Sequence, residues 1–259
     1  MKVCLQNRQE GKYLKLADEI KVGYRDRKTL PDLYEKYPEK DFILEIYSDS
    51  EVDWAEMKEY NILSQGRLTF CVANSEQMYQ CREMEAKFYF GYPISSFYDL
   101  RAAVACGVAY VRLDAPIFFQ LDRVKELGVP VRAVPNVAYL EYIPREDGVC
   151  GTWIRPEDID DYEEYIDIIE FEDCDNHKEQ ALYRIYIEQK AWPGEVSDII
   201  TNLNYKGTNR MIPPHTFGIK RAVCGQRCQE TGRCQMCYRA LDLANPILLE
   251  EYRDAMNLS

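Results

Sequence analysis

Histidine is nearly absent from this chain, with only His177 and His215 among 259 residues. No Ser-His-Asp or Cys-His set can be recognised, and no His-Glu-x-x-His helix is present to hold a catalytic zinc. Long apolar runs are missing too. The longest, such as "PIFFQL" (116–121), suit a core strand or helix and are too short to span a membrane. The opening "MKVCLQNRQEGKYLKLADEIK" carries charge throughout and lacks the apolar region of a secretory signal, so a cytoplasmic protein is expected. Basic residues are in the minority, 32 against 44 acidic, for a net charge of −12. That balance argues against a broad nucleic-acid-binding surface but leaves room for a local basic patch. There is no low-complexity segment and no internal repeat beyond a β/α alternation.

That alternation is the main positive signal. Short runs rich in β-branched and aromatic residues recur as "IKVGY" (20–24), "FILEIY" (42–47), "RLTFCVA" (67–73) and "KFYFGYP" (87–93), then "YVRLD" (110–114), "VRAVPN" (131–136), "GTWI" (151–154) and "DIIEFE" (167–172). Helix-like segments lie between them. "TLPDLYEKY" has Pro31 in its first turn, and "SEQMYQCREMEA" opens on Ser75 as the expected N-cap. "SSFYDLRAAVACG" and "FQLDRVKELG" end at Gly107 and Gly128, where glycine commonly follows a helix. "PEDIDDYEEYI" begins at Pro156, and the acidic run from Glu157 to Asp175 reads as a solvated helix face and loop.

Eight such units predict an α/β fold of the (β/α)8 TIM-barrel type, with "DIIEFE" closing against "IKVGY"; a doubly wound open sheet is the alternative. The length fits one such barrel. The barrel is assigned to residues 1–192. Residues 193–259, after the break at Pro193-Gly194, form a helical and cysteine-rich tail packed on it.

The tail holds the densest chemistry. Cys224, Cys228, Cys234 and Cys237 are spaced C-x3-C-x5-C-x2-C, with Gly225 and Gly232 between them. In a reducing compartment such a group reads as a metal site sooner than as disulfides. Four thiolates can surround one tetrahedral zinc or ligate a 4Fe-4S cluster with one cysteine per iron. Spacing alone leaves that choice open. Lys220, Arg221, Arg227, Arg233 and Arg239 flank the thiols. They can compensate the charge of a metal–thiolate centre or dock a phosphate-bearing partner such as RNA. Cys71, Cys81 and Cys106 read as core or helix residues, and His215 as a loop residue or an extra ligand. Cys150 and Cys174 fall at opposite ends of the expected barrel.

A barrel assembles its chemistry at the C-terminal ends of its strands. Those ends supply Arg25, Asp26, Glu45, Tyr47, Asn74, Tyr92, Arg112, Asp114, Asn136, Arg155, Glu170 and Glu172. Asp114 and Glu172 are the candidate acid/base pair, because enclosed carboxylates can be tuned toward neutrality. Arg112, Asn136 and Arg155 are candidates for orienting an anionic or carbonyl-bearing substrate. Asp114, before Ala-Pro, fits an N-cap equally well.

Three stretches, "WIRPEDIDDYEEYIDIIEFE" (153–172), "ALYRIYIEQKAW" (181–192) and "NRMIPPHTFGIKRAVCGQRC" (209–228) with the later "CQMCYRAL", resemble the collagenase-like peptidase family, number thirty-two among peptidases of unknown type. The chain is similar to a divergent small member of it. The resemblance implies a (β/α)8-type barrel that often carries a 4Fe-4S cluster and modifies RNA or cofactor precursors. A protein partner that delivers the substrate is expected beside it. The family's lysine and glycine-arginine pair after the last strand is replaced here by "EFEDC", and its cysteine pair after the sixth strand is absent. The remaining alternatives are a non-catalytic scaffold with a structural zinc site used in protein assembly, and a hydrolase.

Overall fold

The computed structural model describes residues 1–7, 14–113, 117, 120–134, 159–160, 162–171, 186, 210–211 and 247–248. The chain divides into two compact units, the first comprising Met1–Leu113, Lys125–Ala133 and Ile166–Asp173. This first unit carries eight parallel strands. They are β1 (Lys2–Gln6), β2 (Glu19–Gly23), β3 (Asp41–Glu45), β4 (Leu68–Val72), β5 (Lys87–Phe90), β6 (Val111–Arg112), β7 (Val131–Ala133) and β8 (Ile168–Glu170).

The strands stand in the order β5-β4-β3-β2-β1-β8-β7-β6. Between the two ends of that order, a parallel bridge joins Ile94 to Leu113. Two backbone hydrogen bonds support it, Ala109 N to Phe88 O at 2.7 Å and Ile94 N to Arg112 O at 2.8 Å. The sheet thus curls back on itself. It is a TIM-type barrel.

Helices fill the five crossovers from β2 to β7, as the connections of parallel strands require. They are α1 (Leu30–Lys36), α2 (Trp54–Leu63), α3 (Ser75–Glu83), α4 (Phe97–Ala105) and α5 (Leu121–Lys125). Pro31 sits in the first turn of α1. Asp53 caps α2, its carboxylate accepting from the amides of Ala55 and Glu56, each at 3.1 Å. Asn74 caps α3, accepting from Gln77 N at 3.0 Å. The expected cap, Ser75, is instead the first helical residue, because the Asn74 amide oxygen already reaches the amide three residues on. Gly107 and Gly128 take the left-handed conformation, φ +78° and +65°, after α4 and α5.

One strand pairing departs from expectation. β8 pairs with β1, Val3 opposite Ile169, and β1 in turn pairs with β2, Leu5 opposite Ile20. The run "DIIEFE" therefore does not close against "IKVGY". The strand between them is "KVCLQ", whose polar ends blend into a charged N-terminal segment. "GTWI" and the tail helices lie outside the described residues, apart from the buried helical residue Tyr186. In the second unit, β9 (Arg210–Met211) and β10 (Ile247–Leu248) pair antiparallel.

Alternation along the strands divides the barrel into two chemically distinct faces. Ile20, Val22, Phe42, Leu44, Leu68, Phe70, Val72, Phe88, Val111, Val131, Ala133, Ile169 and Phe171 share one parity and are all buried. That is an unbroken apolar coat for the crossover helices. The other parity holds Cys4, Glu19, Lys21, Ile43, Thr69, Cys71, Tyr89, Arg132, Ile168 and Glu170, also buried. Barrel interiors are usually layered with branched aliphatic side chains. Here Ile43 and Ile168 pack with Cys4, Cys71 and Tyr89, and charged residues thread between them.

Candidate active site in the barrel lumen

Strand register brings the polar parity together. Cys4 of β1 lies opposite Glu19 of β2 on one side and Glu170 of β8 on the other. Lys21 Nζ stands 2.6 Å from Glu170 Oε1 and 2.6 Å from Glu45 Oε1. Arg132 of β7 donates from Nη1 to Glu170 Oε2 at 3.2 Å and pairs through Nη2 with Glu19 Oε2. The result is an ion chain, Glu45–Lys21–Glu170–Arg132–Glu19, drawn from strands β2, β3, β7 and β8.

Aromatic rings hold its inner end. The Arg132 guanidinium lies 4.9 Å from the Tyr89 ring centroid and 5.1 Å from that of Tyr110. The two rings meet edge-on at 6.0 Å. A guanidinium beside aromatic rings gains from their π faces, which suits arginine to a site of this kind. Among the described residues, no hydrogen-bond partner reaches Glu19 Oε1 or Arg132 Nε, although both atoms are buried.

The outer end opens toward the strands' C-termini. Glu45 is the last residue of β3, and its side chain is 24% exposed, against 3% for Lys21 and none for Glu170. Arg112, at the end of β6, donates to Gly91 O at 2.8 Å. Its charge acts on both Lys21 and Glu170. A Cβ at Gly91 would meet Cys71 Sγ at 2.8 Å, so glycine is what lets the thiol approach beneath the carbonyl that holds Arg112.

The lumen sets the protonation of its members. Burial works to raise the Glu170 carboxyl, but Lys21, Arg112 and Arg132 overcome it and hold the group below the usual carboxylate range. Burial likewise works to lower Lys21, yet Glu170 and Glu45 keep the ammonium above its ordinary value. Lys21 is therefore a fixed cation and a poor amine nucleophile. Glu19 behaves differently. There burial outweighs Arg132 and pushes the carboxyl up. Burial also raises the Cys4 and Cys71 thiols, so neither supplies a thiolate.

No family model matches the chain, and no curated protein matches its sequence. Among solved structures, a cube-shaped, highly porous protein cage designed by fusing symmetric oligomeric domains aligns with 73% of this chain and 72% of its own, at 7% identity and a TM-score of 0.48. An enolase-superfamily member from Listeria innocua aligns with 67% of this chain and 50% of its own, at 9% identity and a TM-score of 0.46. A native KDPGal structure aligns with 72% of this chain and 92% of its own, also at 9% identity and 0.46. Likeness at this level says nothing about substrate.

Of the residues singled out from the sequence, Arg112 stands at the mouth with Glu45, and Glu170 lies deeper, fully buried between Lys21 and Arg132. Asp114, Asn136, Arg155, Glu172 and the cysteines at 224, 228, 234 and 237 lie outside the described residues. Cys71 and Cys81 are core residues as expected, and Cys106 follows α4, half-buried. Lys21, Glu19 and Arg132 escaped the sequence reading. Their signal was a lone charge flanked by apolar residues inside a strand, as in "EIKV" and "VRA". Among the described residues, no helix is long and apolar enough to cross a membrane.

Proposed function

We propose that this chain is a TIM-barrel enzyme whose active site is the mouth of the ionic lumen, and that it modifies an RNA or cofactor-type substrate. The observation that carries the reading is the Glu45–Lys21–Glu170–Arg132 chain. Burying ions costs several kcal/mol each even when they are paired, and an aliphatic lumen would serve stability as well or better. A barrel that needed only to stand would not require these groups, whereas paired ions that reach from a strand-end opening into the lumen are the kind of groups a functional site uses. The RNA or cofactor-precursor assignment rests on the resemblance to the collagenase-like peptidase family.

The same resemblance makes Cys224, Cys228, Cys234 and Cys237 the ligands of a 4Fe-4S cluster, with structural zinc as the alternative. Four thiols are the donor number either centre needs. Among the described residues, no group of three or more His, Cys, Asp or Glu could hold a metal. When bound, the cluster would supply electron transfer and would fix the segment that carries it. Within the barrel, Lys21 is the fixed cation, and Glu45 is the member of the ion chain that reaches the surface.

The test has two readouts. Protein purified without oxygen should be brown, with iron and sulfide in the ratio of a 4Fe-4S centre, and Cys234→Ser/Cys237→Ser should remove both. RNA nucleosides and small cofactor precursors from cells lacking the chain should differ by mass spectrometry from those of cells carrying it. Lys21→Met should reproduce the loss. Colourless zinc protein together with unchanged nucleoside and precursor profiles would favour the scaffold alternative and end this reading.

A further inference from the structure

Arg132 serves two carboxylates on unequal terms. Glu170 accepts from its Nη1 at 3.2 Å and from Lys21 Nζ at 2.6 Å, so a second cation stands behind it. Glu19 pairs with Nη2 through Oε2, and among the described residues that is its one ion pair. Lys2, whose charge also reaches Glu19, is engaged with Asp41 at 3.0 Å. The other carboxylate oxygen, Glu19 Oε1, is buried with no hydrogen-bond partner among the described residues. A buried anionic oxygen without a partner is costlier than the same oxygen carrying a proton. The groups that face Glu19 are Lys2 and Cys4 of β1, Asp41 of β3, Tyr110 before β6 and Arg132 of β7. Glu170 and Tyr89 stand beyond the guanidinium. Arg132 and Lys2 favour the ionised form of Glu19; burial and Asp41 oppose it, and the opposition prevails.

We infer that Glu19 is the proton-binding member of the ion chain, and that its protonation draws Arg132 toward Glu170 and Lys21 toward Glu45. The neutral acid keeps its contact with Nη2, because Oε2 still accepts as a carbonyl oxygen. The guanidinium charge is then left to Glu170. Their present contact, 3.2 Å, is long for a charged hydrogen bond, which settles at about 2.7–2.9 Å where nothing competes. Lys21 meets Glu170 and Glu45 at 2.6 Å each, so a firmer hold on Glu170 from the inner side leaves more of the ammonium to Glu45. Glu19 opens β2 and Glu45 ends β3, at opposite ends of the lumen. A proton taken up at the base is thus felt at the mouth through a chain of contacts. What this does to activity rests on the reading of the mouth as the active site; the proton uptake and its transmission do not.

The test is residue-specific. In the full chain with isotope-labelled glutamate, NMR follows the side-chain carboxyl carbon of Glu19 from neutral to acid pH, together with the amides of Gly23 and Glu45. Glu19 should still carry its proton at pH values where exposed carboxyls have ionised. The Gly23 and Glu45 amides should show a step at the Glu19 midpoint. Glu19→Gln, which imitates the neutral acid, should remove that step. At neutral pH it should hold both amides where the unmodified chain holds them after proton uptake. If Glu19→Gln fails to fold, the titration of the unmodified chain decides alone, since the amides either follow the Glu19 carbon or do not. A Glu19 carbon that ionises together with the exposed carboxyls overturns the inference. So does a step that survives in Glu19→Gln, or mouth amides that ignore the Glu19 midpoint. None of these results bears on the nucleoside and iron measurements, so this inference and the enzyme reading fail separately.

Discussion

Arg132 is the residue on which the lumen turns. It is fully buried, meets Glu19 and Glu170, and lies against Tyr89 and Tyr110. Arg132→Met keeps much of the volume but strips Glu19 of its ion-pair partner and leaves Glu170 with Lys21. The expected loss is about 3–5 kcal/mol in urea unfolding near neutral pH. The pH dependence follows from the two carboxyls. Glu170 is held below its unfolded value, so its contribution is fully present above the ordinary carboxylate range and is lost as pH falls through the folded value. Glu19 is raised, so its ionised form costs stability at neutral pH, and acid relieves that cost. Without Arg132 both carboxyls move upward. The variant's deficit should therefore shrink between pH 7 and pH 5, and a deficit that grows in that window would contradict the assignment. At Gly91 the constraint is steric. Gly91→Ala should cost about 1–3 kcal/mol through its clash with the Cys71 thiol, and Cys71→Ala in the same chain should restore most of it.

Elements were legible where one face carries the whole signal. "FILEIY", "RLTFCVA" and "KFYFGYP" read as strands because Phe42, Leu44, Phe70, Val72 and Phe88 form the apolar coat, and the described strands fall inside those windows. β1 was missed for the opposite reason. Its inward residue Cys4 is small, its ends Lys2 and Gln6 are polar, and five residues give too short a period to stand out. α2 escaped for a related cause, since Ile62 and Leu63 are exposed and blur its apolar stripe. The structure gives β1 a central place, hydrogen-bonded on both edges. Deleting residues 1–6 should therefore unzip β2 from β8 and abolish the cooperative thermal transition seen by circular dichroism. A deletion variant that melts like the full chain would mean that β1 is an accessory strand.

At the scale of the whole barrel, the architecture was readable from the β/α rhythm, and the site was readable only at its rim. Glu45, Arg112 and Glu170 were found because strand ends can be counted. Lys21 could not be paired with Glu170, nor Arg132 with Glu19, because 149 and 113 residues separate them and only closure brings them together. Closure itself is uneven. β2 and β3 pair over five residues, Glu19 to Gly23 against Asp41 to Glu45, whereas β5 and β6 meet through one bridge and the two hydrogen bonds at Ala109 and Ile94. Local opening follows the density of such pairing, so the seam is where the barrel should part first. Arg112 lies at the end of β6 and is tied to Gly91 just past β5, so an open seam also loosens one of the mouth's cations. Native-state hydrogen exchange should show the amides of Ile94 and Ala109 exchanging at least tenfold faster than those within the β2–β3 ladder, the rate ratio for about 1.4 kcal/mol of opening free energy. Equal protection at seam and ladder would mean that the ionic lumen holds the barrel shut without help from the strand edges, and would detach Arg112 from any opening motion.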